Sequence, residues 1–161
     1  MTPRDLQPLM PAMAAHARST YPAECCGLVL TDAGGIPRFV RVPNIAGTPA
    51  AAGNSNRTGR DGYVMEPQTL LAALDEAERS GGRLAVIVHS HPDVGAYFSK
   101  EDRDMALAGG EDPLWPGVQY LVISCRRSGV DAARLYTWNV RERDFDEEEV
   151  PVLSSFFKIG H

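Results

Sequence analysis

The feature that most narrows the fold is a short apolar run, Leu84-Ala-Val-Ile-Val88, that passes without a break into His89-Ser-His91 and then Pro92. The run is too short for a buried helix, is rich in β-branched residues and is bounded by glycines on one side and proline on the other. It reads as a strand covered on both faces. Such a strand belongs inside a sheet with helices packed on it. Proline cannot continue a central ladder, so Pro92 takes the chain out of the sheet. Side chains on an extended chain repeat with a period of two, so His89 and His91 project to one face at that exit, where they can chelate one ion.

Helix and strand signals alternate around this strand. Leu6, Leu9, Met10, Met13 and Ala17 stand at helical spacing and predict a first helix over residues 3–18, with Thr2 and Pro3 as cap and first position, ending before Tyr21-Pro22. The apolar stretch from Glu24 to Leu30, the turn cluster Asp32-Ala-Gly-Gly35 and the alternating Arg38-Phe-Val-Arg-Val42 predict a hairpin. Pro67 with Leu70, Leu71, Leu74 and Ala77 predicts a second helix, stopped at Gly81-Gly82. A third helix opens at Ser99 and ends at Gly109-Gly110. Gln119 to Arg126 and Arg134 to Val140 read as two strands joined across Ser128-Gly129. Interleaving of this kind gives an α/β class, a single-domain mixed β-sheet with flanking helices over residues 1–161.

Two segments fall outside that pattern. Residues 46–62 are mostly Gly, Ala, Asn, Ser, Thr and Arg with almost nothing to bury, and are either a flexible lid or binding loop or a plain surface insertion. The acidic stretch Asp144 to Glu149 breaks the strand pattern and reads as a solvated charge run, with attraction of a basic partner as the alternative. Val150-Pro-Val-Leu153 is then expected to return as an edge strand.

Charge and length exclude several classes. The 161 residues hold 16 Lys+Arg against 21 Asp+Glu, a formal charge of -5, which is not the footprint of a nucleic-acid binder. No apolar run approaches the roughly 18 to 20 residues of a membrane span, and the first residues do not resemble a signal peptide, so a cytoplasmic protein with no membrane partner is expected. The three cysteines are too few for a disulfide framework and suit a reducing compartment.

The chemistry concentrates in residues 89–102. The loop after Pro92 delivers a helix whose first turn holds Asp102, an oxygen ligand able to join the two imidazoles. Two histidines and one carboxylate leave a fourth tetrahedral position open, as in catalytic rather than structural zinc sites. Hydrolysis of an amide also needs a group to move the proton, and Glu24, an isolated acid at the start of an apolar strand, is the candidate. Ser99 and Asp102 also stand at capping-box spacing, so a helix N-cap explains them without any metal. Cys25 and Cys26 read as buried small apolar residues rather than thiol nucleophiles. The zinc-deaminase pattern is not met, because the position after Ser90 is His91 and no C-x-x-C exists. His16 and His161 join no cluster.

Glu24 followed by C-C-G-L-V-L, then H-S-H at 89–91, seven residues, Ser99, two residues and Asp102 resembles the pattern of the JAMM family, also called MPN+ or JAB metalloproteases. The resemblance spans roughly residues 1–140. It implies the JAMM/MPN architecture, a cytidine-deaminase-like mixed α/β fold, with one Zn2+ held by His89, His91 and Asp102. It implies Glu24 as the base and Ser99 as a donor to the oxyanion. It further implies hydrolysis of a peptide or isopeptide bond after the terminal glycines of a ubiquitin-like or sulfur-carrier protein. Loop 46–62 is expected, as a hypothesis of its own, to border the channel for that tail. A non-catalytic MPN-type scaffold and a phage-tail or cell-wall peptidase are the alternatives. The sequence leaves the oligomeric state open, a homodimer included.

Overall fold

The run from Leu84 forms the third strand of a sheet and extends past its apolar residues, over Arg83–Pro92. The computed structural model describes residues 1–51 and 58–152. Among them, strands β1 (Cys26–Thr31), β2 (Pro37–Val42), β3 (Arg83–Pro92), β4 (Gln119–Arg126), β5 (Gly129–Asn139) and β6 (Asp144–Glu149) form one sheet in the order β2-β1-β3-β4-β5-β6. Only β3 and β4 run parallel, and all other neighbours are antiparallel. The sheet is mixed, as the interleaved pattern predicts.

Helices cover both faces, which is why β1 is buried along its whole length. On one face α1 (Pro3–Leu6) and α2 (Met10–Thr20) set Leu6, Met10, Met13 and Ala17 against Val29, Val86, Val88, Leu121, Ile123 and Leu135. The single helix expected over 3–18 is interrupted by a 3₁₀ turn at Gln7–Leu9. Pro8 and Pro11 lack the N–H groups that a continuous α-helix would need there. On the other face α3 (Pro67–Arg79) sets Ala73 and Ala77 against Cys26, Leu28, Leu30, Val42 and Leu84, and α4 (Lys100–Ala106) sets Ala106 against Tyr120, Val122 and Tyr136. Leu71, grouped with the apolar stripe of α3 from sequence, is exposed, because it lies a third of a turn beyond the partly buried Leu70.

The Gly81-Gly82 stop has two separate reasons. Gly81 takes a φ of +77°, the left-handed conformation that ends a helix. Gly82 passes so close to β1 that an added Cβ would lie 1.6 Å from the Thr31 carbonyl oxygen.

Two expectations for the C-terminal half are corrected. β5 begins at Gly129, directly after the turn, rather than at Arg134. The acidic stretch is itself the edge strand β6, paired with β5 from Asn139↔Asp144 to Arg134↔Glu149, so Val150-Pro-Val-Leu153 does not supply that edge; Val150 is buried after the strand ends, and Leu153 lies outside the described residues. An edge strand has one unpaired side and tolerates charge there. The strand is pinned by Phe145, which packs against Trp138, Tyr120 and Phe98, and by the exposed Arg134–Glu147 pair at 3.3 Å.

Loop 46–62 is described only in part, since residues 52–57 lie outside the described residues. Its described portion buries more than its composition suggests: Ala46 and Ala51 are inside, the latter on a 3₁₀ turn at Pro49–Ala51. Among the described residues, no helix is long and apolar enough to cross a membrane.

Candidate metal centre

Register decides where the histidines go. His89 lies opposite Cys26 of β1 and Val122 of β4, so its side chain joins theirs on the α3 and α4 side of the sheet. His91, two residues on, shares that face. Ser90 between them points the other way and accepts a hydrogen bond from the Cys25 N–H at 2.8 Å, tying the end of β3 to the residue after Glu24.

His89 Nε2, His91 Nε2 and Asp102 Oδ2 form a triangle with all three edges 3.1 Å long. Ligands of a tetrahedral ion held at zinc-like distances stand about 3.3 Å apart, so these three atoms are spaced as one such ion requires. The His91 Nδ1–H donates to the Gly95 carbonyl at 3.1 Å, which turns its Nε2 toward the triangle, the arrangement usual for a metal-binding imidazole. Glu24 sits on the other flank. Its carboxylate and one nitrogen from each histidine lie within 4.8 Å of one another, and all three residues are buried. The buried Glu24/His89/His91 group could thus hold a metal, and Asp102 offers a second carboxylate to the same imidazoles.

Asp102 reaches the histidines because of how α4 starts. Ser99 is its N-cap: the Ser99 Oγ accepts from the Asp102 N–H at 3.0 Å, and the Ser99 N–H donates back to Asp102 Oδ2 at 3.0 Å. The capping box and the approach to the histidines are one arrangement, since the same Oδ2 takes part in both. Burial alone would raise the Asp102 pKa, but hydrogen bonds from His89 and His91 hold its carboxyl far below the usual carboxylate range. Burial disfavours a charged His91, yet Asp102 beside it outweighs that effect and raises its pKa.

Aromatic rings frame the cluster. Tyr63 stacks on His89 at 4.8 Å, and Tyr97, half exposed, meets His91 edge-on at 5.0 Å. Burial pushes the Tyr63 phenol well above its ordinary range, so it stays neutral. An open cavity of about 370 Å³ ends on Glu24, His91, Ser99 and Asp102, with Arg60, Asp61, Val94 and Tyr97 among its walls. Sequence reading missed Tyr63, Tyr97 and Ser90. For Ser90 the signal was its place between two residues of one face, and for the tyrosines no local pattern marks them.

The cysteines behave as small core residues. Burial raises the Cys25 thiol to about 12 and pushes that of Cys26 higher still, so neither forms a thiolate at neutral pH. Among the described residues His16 joins no metal cluster, and its Nε2 lies 3.0 Å from the Cys26 carbonyl oxygen. His161 lies outside the described residues.

Comparison with known proteins agrees with this architecture. A desampylase of Haloferax volcanii is 30% identical over 119 residues, 70% of this chain and 73% of its own. Tail tip assembly protein K of Escherichia phage N15 is 29% identical over 113 residues, 68% of this chain, which spans only 40% of that relative's length. The solution structure of a protein from Desulfitobacterium hafniense superposes with a TM-score of 0.63 at 25% identity, covering 91% of this chain and 89% of that one. Residues 6–139, from α1 to the end of β5, match the family described as prokaryotic homologs of the JAB domain, and the chain belongs to that family.

Proposed function

We propose that this protein is a zinc-dependent peptidase or isopeptidase that cuts after the C-terminal Gly-Gly of a ubiquitin-like or sulfur-carrier protein. The observation that carries the reading is the 3.1 Å triangle of His89, His91 and Asp102 with the Glu24 carboxylate beside it at the end of an open cavity. His89, His91 and Asp102 would hold the ion. When bound, zinc supplies Lewis acidity, polarising a carbonyl and lowering the pKa of water to about 7.

The remaining steps fall to the chain. Glu24 takes the proton from the attacking water and passes it to the leaving amine, from a buried position next to two imidazoles. Ser99 accepts a hydrogen bond at its oxygen as the helix cap and has its own hydroxyl proton left to donate to the oxyanion. Tyr97 and Val94 give the cavity an apolar lip, and Arg60 and Asp61 give it a polar one. An extended tail ending in two glycines presents its last carbonyl here with no side chain to clash. The similarity to a desampylase supports that substrate class.

The test is mass spectrometry of the zinc-loaded protein after incubation with ubiquitin-like and sulfur-carrier proteins extended beyond Gly-Gly. Loss of the extension after the second glycine is expected. Intact substrates from a protein holding one zinc per chain would count against the reading. The similarity to a tail tip assembly protein favours a second reading, a peptidase acting on tail-associated or cell-wall peptides; cleavage of such peptides with the Gly-Gly substrates left intact would select it. Full zinc occupancy with no cleavage of either set would select a non-catalytic scaffold.

A further inference from the structure

We propose that Asn44 is a positioning residue for Glu24: its side-chain amide clamps the backbone carrying the Glu24 carboxylate to the loop that walls the cavity. The inference rests on the proton-transfer role of Glu24 proposed above.

Glu24 stands outside the sheet ladder, whose pairings on β1 begin at Cys26. Its backbone polar groups are held by two other segments. The Glu24 N–H donates to the Gly59 carbonyl, and the Glu24 carbonyl accepts from Asn44 Nδ2 at 2.9 Å. The same Nδ2 donates to the Gly62 carbonyl at 3.1 Å. The Asn44 Oδ1 accepts from the Ala46 and Val64 N–H groups, each at 3.0 Å. A carboxamide has two N–H donors and two acceptor lone pairs, and here all four are used. Both N–H donors face carbonyls and the carbonyl faces two N–H groups, so the orientation of the amide is fixed.

The consequence reaches the metal centre. The segment gripped by Asn44 at Gly62 and Val64 carries Tyr63, which stacks on His89, and follows Arg60 and Asp61, which line the cavity. One amide therefore fixes three things relative to each other: the backbone of Glu24, the ring against His89 and the polar lip of the cavity. Asn44 touches neither the histidines nor the cavity, so it acts through Glu24 and the loop. A carboxylate displaced by about 1 Å loses on the order of 10²-fold in rate, so release of this clamp belongs in kcat rather than in substrate binding.

Asn44→Asp keeps the size and both acceptor contacts and removes both donors, whereas Asn44→Ala removes all four. In the zinc-loaded full chain, three quantities are read: zinc per chain, amide hydrogen exchange at Glu24 and Val64 by NMR, and kcat and KM on a fluorogenic peptide ending in Gly-Gly-aminocoumarin. For Asn44→Asp we expect zinc retained, exchange at the Glu24 amide at least about tenfold faster with Val64 less affected, and kcat lower by roughly 10- to 100-fold at nearly unchanged KM. Wild-type exchange at Glu24, or faster exchange with wild-type kcat, overturns the proposal. Should Asn44→Ala fail to fold, Asn44→Asp still decides. Glu24→Gln is run beside them: full turnover in that variant overturns the role of Glu24 itself, while the exchange data report separately whether Asn44 holds its backbone.

Discussion

At the residue scale the centre is a group of buried polar side chains whose burial is costly unless each finds a charge or donor. Asp102 and the two imidazoles meet that need through one another, and a cation between them meets it better. In the proposed mechanism Glu24 moves the proton and does not hold the ion, so Glu24→Gln should keep one zinc per chain and lose on the order of 10²- to 10⁴-fold in turnover. His89→Ala should lose zinc and turnover together. Metal analysis paired with kinetics checks both, and full turnover by Glu24→Gln would contradict the mechanism. A second residue-scale prediction concerns His16. Burial lowers its pKa below 6.5, against the raising effect of the Cys26 carbonyl. The unfolded chain therefore binds the proton more readily, and this contribution to stability is lost as pH falls below 6.5 towards the folded pKa. Between about pH 7.5 and 5.5, denaturant melts of the wild type should lose more stability than those of His16→Gln; equal losses would show that His16 is not responsible.

At the scale of elements, most of the framework was legible because hydrophobic period and glycine or proline punctuation reflect local physics. The hairpin, α3, β3, α4 and β4 follow from such signals. The exceptions share a cause, which is that the deciding partner is remote in sequence. β6 is hidden by its charges, since only the β5 ladder and the aromatic group around Phe145 make it a strand. Gly82 is legible as a helix stop, but its contact with the Thr31 carbonyl is not. That contact gives a prediction: Gly82→Ala must push β1 and β3 apart and should destabilise the fold by about 1–3 kcal/mol, as overpacking does. A denaturant midpoint matching the wild type would refute the close approach.

At the scale of the molecule, the centre lies where three element ends converge: the entrance to β1, the carboxyl end of β3 and the start of α4. β3 and β4 are the parallel pair, and the crevice at the carboxyl ends of parallel strands is where α/β sheets place their ligands. The sequence names His89, His91 and Asp102 because their spacing along strand and helix is local information, and Glu24 because it is an isolated acid on an apolar strand; Ser99 stands out locally only as a helix cap, its role at the oxyanion coming from the family resemblance. Tyr63 and the Asn44 clamp depend on how the segment after β2 folds back across the site, and Tyr97 on the path of the loop between β3 and α4; no short-range pattern encodes either path. Two carboxylates approach the same pair of imidazoles, and in the proposed mechanism Asp102 holds the ion and Glu24 moves the proton. Anomalous diffraction at the zinc edge from crystals of the zinc-loaded protein tests that division most directly. One peak is expected at about 2.0–2.2 Å from His89 Nε2, His91 Nε2 and Asp102 Oδ2, with the Glu24 oxygens beyond bonding distance. A peak bonded to Glu24 in place of Asp102, or no peak between the histidines, would contradict it.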